Sequence, residues 1–145
     1  MAEKIRLQIV TPERLFYDDS IELVIVRTLS GDEGFMARHA WATKLLDVGE
    51  IWIQEAGQKD FKVAAAGAGF IDVKNEITIF VDAAEWPEEI DVARSQEQKE
   101  AAEQYLKTHT EKNEDNEEFL YYRASLQKAM TRMLVAKGGS RKSKK

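Results

Sequence analysis

The chain has 145 residues, enough for one domain or a small domain with an appendage, and 43% of them are apolar, so a core can be buried. A net charge of −5 argues against a general nucleic-acid binder, which is usually basic. The absence of cysteine excludes disulfides, thiolate metal sites and cysteine nucleophiles, and it suits a reducing compartment.

Strands come first. In "KIRLQIV", Ile5, Leu7 and Ile9 alternate with Lys4, Arg6 and Gln8, the period-2 pattern of a strand with one wet face. "SIELVIVRT" is apolar on both faces at Leu23–Val26, which predicts a more central strand. "EIWIQEA", "DFKVAAAGAGFIDV" and "NEITIFVDA" follow, the last placing Ile77, Ile79, Val81 and Ala83 on one face. Turn signals separate them at Thr11-Pro12, Asp18-Asp19, Ser30-Gly31-Asp32, Val48-Gly49, Gly57 and Lys74-Asn75. Such spacing, with no helical pattern in between, predicts a sandwich or barrel. The period changes near Trp86-Pro87. Residues 88–108 and 114–136 read as helices, the second with Phe119, Tyr122, Leu126, Ala129, Met130 and Met133 at helical spacing. A polar link joins them, where Asn113 or Asp115 offers a cap, so an antiparallel hairpin is expected. From Glu85 to Glu118 there are twelve Asp and Glu against four Lys and Arg, whereas residues 119–145 carry eight cations and no acid, an asymmetry that favours pairing the helices. The fold class is therefore α+β in two parts: an N-terminal antiparallel β-sandwich over residues 1–86, a C-terminal two-helix hairpin over 87–137, and a disordered basic tail over 138–145.

The opening "MAEKIRLQIV" lacks the pattern of a signal peptide, and no apolar run approaches the ~20 residues of a membrane span, so the chain reads as soluble and without direct membrane insertion. Little in it suggests self-contained chemistry. His39 and His109 lie in different halves without metal spacing, and no metal site is predicted. There is no phosphate-loop motif and no nucleophile elbow. Gly67 and Gly69 fall inside a strand-like run and read as packing or bulge positions. "LSGDEGFMARHAWATKL" is more suggestive. Gly31 and Gly34 bracket Asp32 and Glu33, so a tight turn is expected to present two acids. Phe35, Met36 and Trp41 then either plug one end of the sandwich or form a contact surface.

Three segments carry a resemblance. "IRLQIVTPERLFYDDSIELVIV", with its T-P-E-x-x-x-Y-D turn, the loop "GDEGFMARHA", and "IDVARS" at the start of the hairpin together resemble the epsilon subunit of bacterial F-type ATP synthase over residues 4–136. The loop departs from the family's usual pattern: Ala37 and Arg38 stand where Pro-Gly is usual, and Trp41 where Pro is usual.

The resemblance implies a non-catalytic rotor subunit, peripheral on the cytoplasmic face of the bacterial cell membrane. Its sandwich would bind the gamma subunit and the c-ring, with Asp32, Glu33, Phe35, Met36, His39 and Trp41 as candidate contacts. The hairpin would regulate hydrolysis by folding down on the sandwich or extending into the catalytic head of alpha and beta subunits. The resemblance also implies ATP as a regulatory ligand, through Ile90, Asp91, Arg94 and Ser95 of an I-D-x-x-R-A-like motif, Glu85 upstream, and Lys128 and Arg132 of "KAMTR". Lys128 and Arg132 are four residues apart and share a helix face. Ser95 replaces Ala and Lys128 replaces Arg, losing a bidentate fork, so ATP binding is expected to be weaker than with the full motif. By themselves, Asp91 and Arg94 read as an ordinary helix start, with the acid favoured by the dipole and by an i,i+3 partner. The alternative reading of the whole chain is an adaptor that recruits another protein, with no nucleotide.

Overall fold

The computed structural model describes residues 3–109 and 117–140. The expected caps Asn113 and Asp115 lie outside the described residues.

Nine strands form the first part: β1 (Ile5–Val10), β2 (Leu15–Thr28), β3 (Gly31–Phe35), β4 (Ala42–Leu46), β5 (Gly49–Glu55), β6 (Phe61–Ala66), β7 (Gly69–Val73), β8 (Ile77–Val81) and β9 (Ala84–Glu85). The sheet runs β1-β8-β7-β4-β2-β5-β6-β9, with β3 on β2, and β1 also pairs with β2. The long β2 therefore serves both layers. Its first half pairs with β1 and its second half with β3 and β5. The sheet closes on itself around Leu7, Ile9, Ile21, Val24, Phe35, Ile53, Ile71, Ile77 and Ile79, all 0% exposed. All pairings are antiparallel except β1 with β8, which run parallel. No turn joins those two strands, so local sequence carried no sign of it.

Gly67 and Gly69 are packing positions. A Cβ on Gly69 would overlap the Phe80 carbonyl, and one on Gly67 the Asp82 carboxylate.

Trp86 leaves the sandwich stacked on Phe16, with ring centroids 4.4 Å apart. A 3₁₀ turn at Pro87–Glu89 leads into α1 (Val92–Thr108), which packs against α2 (Glu117–Ala136). Tyr105 of α1 stacks on Tyr122 near the start of α2, while Arg132 near its end reaches Gln98 of α1, so the helices run antiparallel.

The hairpin has its own small contact with the sandwich. Val135, 0% exposed, sits among Trp52, Val63, Ala65 and Ile90, with Ile25 and Ala136 at the margin. This explains why β5 is buried along its whole first five residues: Ile51 and Ile53 face the sandwich core while Trp52 faces the hairpin. On α1, Ala102 is buried but Ala93 and Ala101 are exposed, so the apolar contact between the helices is narrow. α2 ends in a turn whose Gly138 and Gly139 both have positive φ, 107° and 94°. Gly139 and Ser140 rest on the sandwich, so the free tail expected from 138 does not begin there; 141–145 lie outside the described residues.

Candidate functional site

Most of the residues expected to hold a nucleotide converge where α1 begins, beneath the end of α2. Glu85, Asp91, Arg94, Ser95 and Arg132 line a cleft of about 240 Å³ with Glu89 and Gln98. Lys128 lies instead in a neighbouring cleft of about 290 Å³, with Asp82, Thr131 and the backbone-rich strip Ala65–Gly67. Glu85 and Arg132 belong to both clefts and are joined by an ion pair, Nε to Oε1 at 2.8 Å. That pair stands as a partition between them. Ile90 does not line either cleft. It is buried below, in the cluster around Val135.

Asp91 caps α1: its Oδ1 accepts from the backbone N–H of Arg94 at 3.0 Å. The Ser95 hydroxyl, 1% exposed, donates to the Asp91 carbonyl at 3.0 Å. The hydroxyl that distinguishes this position from alanine is thus satisfied inside the helix and makes no demand on the cleft. The Arg94 and Lys128 side chains are exposed.

Glu89 and Gln98 did not emerge from the sequence. Glu89 accepts both guanidinium arms of Arg14, at 2.8 and 3.0 Å, and the Trp86 N–H at 2.9 Å. The Arg14 guanidinium beside it holds the Glu89 carboxyl below its ordinary value, with help from the Trp86 amide. The partners are 75 residues apart, beyond any local signal.

The loop read as a contact surface differs from expectation. Gly31, Asp32, Glu33 and Gly34 do not form a turn; they are strand β3, and the turn precedes them at Leu29-Ser30. The two acids are not free: Asp32 pairs with Arg27 and Glu33 with Lys44. Phe35 is fully buried and packs on the His39 ring at 4.7 Å, so it plugs the core rather than facing outward. Met36 and Trp41, 52% and 67% exposed, remain as outward apolar groups. Arg38 adopts φ 71°, a left-handed conformation at the position where glycine is usual, and pairs with Glu3.

A second surface was missed. Register aligns Leu45 with Phe70, Phe70 with Phe80, Phe80 with Val10 and Val10 with Leu15. Leu45, Phe70, Phe80 and Leu15 are all exposed, and the Phe70 and Phe80 rings stack at 4.9 Å. An apolar row therefore crosses five strands on the outer face. The next outward row, Thr43, Asp72, Thr78, Gln8 and Asp18, is polar. Its signal was an apolar residue at a position of each strand where alternation calls for a polar one.

Among the described residues, no group of His, Asp and Glu is placed to hold a metal ion, and no helix is long and apolar enough to cross a membrane.

Two family models match in succession. Residues 4–87 match the ATP synthase delta/epsilon chain beta-sandwich domain, and residues 88–137 match the long alpha-helix domain of the same chain. The ATP synthase epsilon chain of Alkaliphilus oremlandii is 50% identical over 107 residues, 73% of this chain and 78% of that one. That of Caldicellulosiruptor bescii is 38% identical over 137 residues, 94% and 95% of the two chains. Among solved structures, a chain of the Euglena gracilis mitochondrial ATP synthase (OSCP/F1/c-ring, rotational state 1) shares the fold. Its TM-score is 0.73 at 19% identity, over 88% of this chain and 78% of that one.

Proposed function

Because this chain belongs to the delta/epsilon family of ATP synthase subunits, in the form of a bacterial epsilon chain, we propose that it is a non-catalytic rotor subunit whose hairpin restrains ATP hydrolysis. It works on the cytoplasmic face of the membrane as a peripheral component. The sandwich docks the gamma subunit through the row Leu45–Phe70–Phe80–Val10–Leu15. The loop carrying Met36, His39 and Trp41, with Asp32 and Glu33 beside it, faces the c-ring. The released hairpin enters the catalytic head of alpha and beta subunits and blocks rotation in the hydrolytic direction.

One observation carries the docking role: that exposed apolar row with its polar margin. A stacked phenylalanine pair left in water is the composition of an interface core. Phe70→Ser with Phe80→Ser tests it. Both side chains point away from the sandwich core, so folding should survive. The expected result is at least tenfold weaker assembly onto the catalytic core, the loss typical of truncating anchor residues. Assembly at wild-type strength would remove this face from the rotor contact.

Packing supports the switch role. The sandwich core is complete without the hairpin, which rests on a separate, smaller cluster. Truncation after residue 87 should therefore leave assembly intact and raise hydrolysis. Unchanged hydrolysis would mean the hairpin does not inhibit.

ATP is proposed as the ligand that holds the hairpin down. Neither cleft alone reaches the ~300–1,000 Å³ of usual small-molecule sites, but the two together do. A nucleotide that spans them parts Glu85 from Arg132. Arg132 then turns to phosphate, with Arg94 on one side and Lys128 on the other, while Asp91 and Glu85 receive the adenine amino group or ribose. Losing the existing ion pair, and the point charge of Lys128 in place of a guanidinium fork, both argue for modest affinity.

A further inference from the structure

A carboxylate on the sandwich receives the end of the hairpin. Glu50, 8% exposed, lies on β5 and accepts the Trp52 indole N–H at 3.0 Å. Its remaining bonds come from a residue 90 positions away: the Ser140 N–H at 2.7 Å and the Ser140 hydroxyl at 2.6 Å. Ser140 is delivered there by the turn that ends α2. Gly138 N–H bonds to the Val135 carbonyl at 2.9 Å and Gly139 N–H to the Leu134 carbonyl at 2.7 Å. This paired closure reverses the chain and satisfies the last carbonyls of the helix. Both glycines are at positive φ, and Gly139 lies flat against the Trp52 ring, where a Cβ would overlap Cζ2 and Cη2.

The turn touches neither nucleotide cleft. It closes over the same Trp52 that covers Val135, so a buried charge and a buried apolar cluster are capped by one three-residue element. We infer that Gly138-Gly139-Ser140 is a latch: the Glu50 carboxylate and the Trp52 face together form a docking site for the hairpin's C-terminal turn, and hairpin release begins by breaking this clasp. The inference rests on the proposal that the hairpin leaves the sandwich. It adds that the folded-down state has a hold independent of nucleotide.

Charge-assisted hydrogen bonds of this kind are the strong ones, and two of the three on Glu50 vanish when the hairpin lifts. Water then solvates the carboxylate, so the net effect is smaller than the bonds themselves. Ser140→Ala removes one of the two. Gly139→Val forces a β-branched residue into positive φ and into the Trp52 ring. Neither touches the sandwich core.

The test uses the full chain without nucleotide, with hydrogen exchange read by mass spectrometry. Gly139→Val should raise exchange across 92–108 and 117–136 by about tenfold, a shift of ~1.4 kcal/mol in the folded-down population. Ser140→Ala should do so by a smaller factor. Strands at 5–10 and 77–81 should exchange as before. Faster exchange confined to 130–136 would report only fraying of the α2 end, and it would overturn the latch, as would unchanged exchange in both variants. Hydrolysis by the assembled enzyme then separates the two ideas. Loosened helices with deeper inhibition support both the latch and the switch. Loosened helices with unchanged hydrolysis keep the latch and refute the switch.

Discussion

Val135→Ala is the most direct measure of how firmly the hairpin is held. Val135 is 0% exposed and is the residue of α2 that enters the cluster of Trp52, Val63, Ala65 and Ile90. The substitution removes two carbons, worth about 1.6 kcal/mol at ~0.8 kcal/mol per buried methylene. The indole of Trp52 is held by Glu50 and cannot collapse far into the void, so a cavity contribution brings the loss to about 2 kcal/mol. A two-state element of this kind is separated from its alternative by a few kcal/mol. A loss of about 2 kcal/mol moves the ratio of folded-down to released hairpin by roughly thirtyfold. The chain contains no cysteine, so Lys59→Cys on the sandwich and Glu97→Cys on α1, both exposed sites, accept spin labels uniquely. Pulsed dipolar spectroscopy should show the single distance of the folded-down hairpin giving way to a broad distribution in the Val135→Ala chain, and hydrolysis by the assembled enzyme should fall. If the distance stays as it is while the sandwich melts earlier, hairpin and sandwich share one cooperative core. The argument for a separable switch then fails.

Other consequences can be checked with simpler means. Isothermal calorimetry of the full chain with ATP should give measurable binding, weakened at least tenfold by Arg94→Ala and by Arg132→Ala; no heat at millimolar ATP would remove the nucleotide assignment. The Arg14–Glu89 pair predicts a pH response of the linker. The folded-state pKa of Glu89 is depressed, so its contribution is present above its unfolded value and fades as pH falls through the folded one. Carbon-detected NMR titration should place Glu89 below an ordinary glutamate, and Arg14→Ala should return it toward the ordinary value. A Glu89 titration unaltered by that substitution would show that the guanidinium is not the cause.

How far the sequence could be read depended on the range of the signal. Period 2 placed β1, β5 and β8 but left β4 inside a loop and ran β6 and β7 together, and the two-sided apolar run at Leu23–Val26 identified β2 as central because sheets bury such runs on both sides. The switch of period at Trp86 placed the hairpin. The β3 region misled because Gly31 and Gly34 read as turn residues. Gly31 does take positive φ, but it does so at the start of a strand whose acids are drawn back by Arg27 and Lys44. What could not be read was assembled from distant positions. The apolar row takes one residue from each of five strands, and its alignment depends on the parallel β1–β8 pairing. On α2 the helical pattern named Met130, which is 45% exposed, and passed over Val135, which is buried. The stripe facing the sandwich lies round the helix from the one facing α1, so one periodic pattern could not describe both.

At the start of α1 a structural role and the proposed ligand-binding role need not compete. Asp91 caps the helix, and that alone accounts for an acid at this position. Yet the cap engages one oxygen, Oδ1, and a carboxylate offers about four acceptor sites on two oxygens. The cap fixes the side chain on the wall of the cleft and leaves it acceptor capacity, which is the preorganisation the proposed weak site needs. Arg94 gives its backbone N–H to that cap and keeps its guanidinium exposed beside the cleft. Ser95 turns its hydroxyl inward to the Asp91 carbonyl and presents no polar group that a ligand must satisfy. Arg132 is the member already committed elsewhere, to Glu85 and Gln98. The cost of opening the proposed site would therefore lie in parting Glu85 from Arg132, rather than in reshaping the Asp91–Arg94 turn.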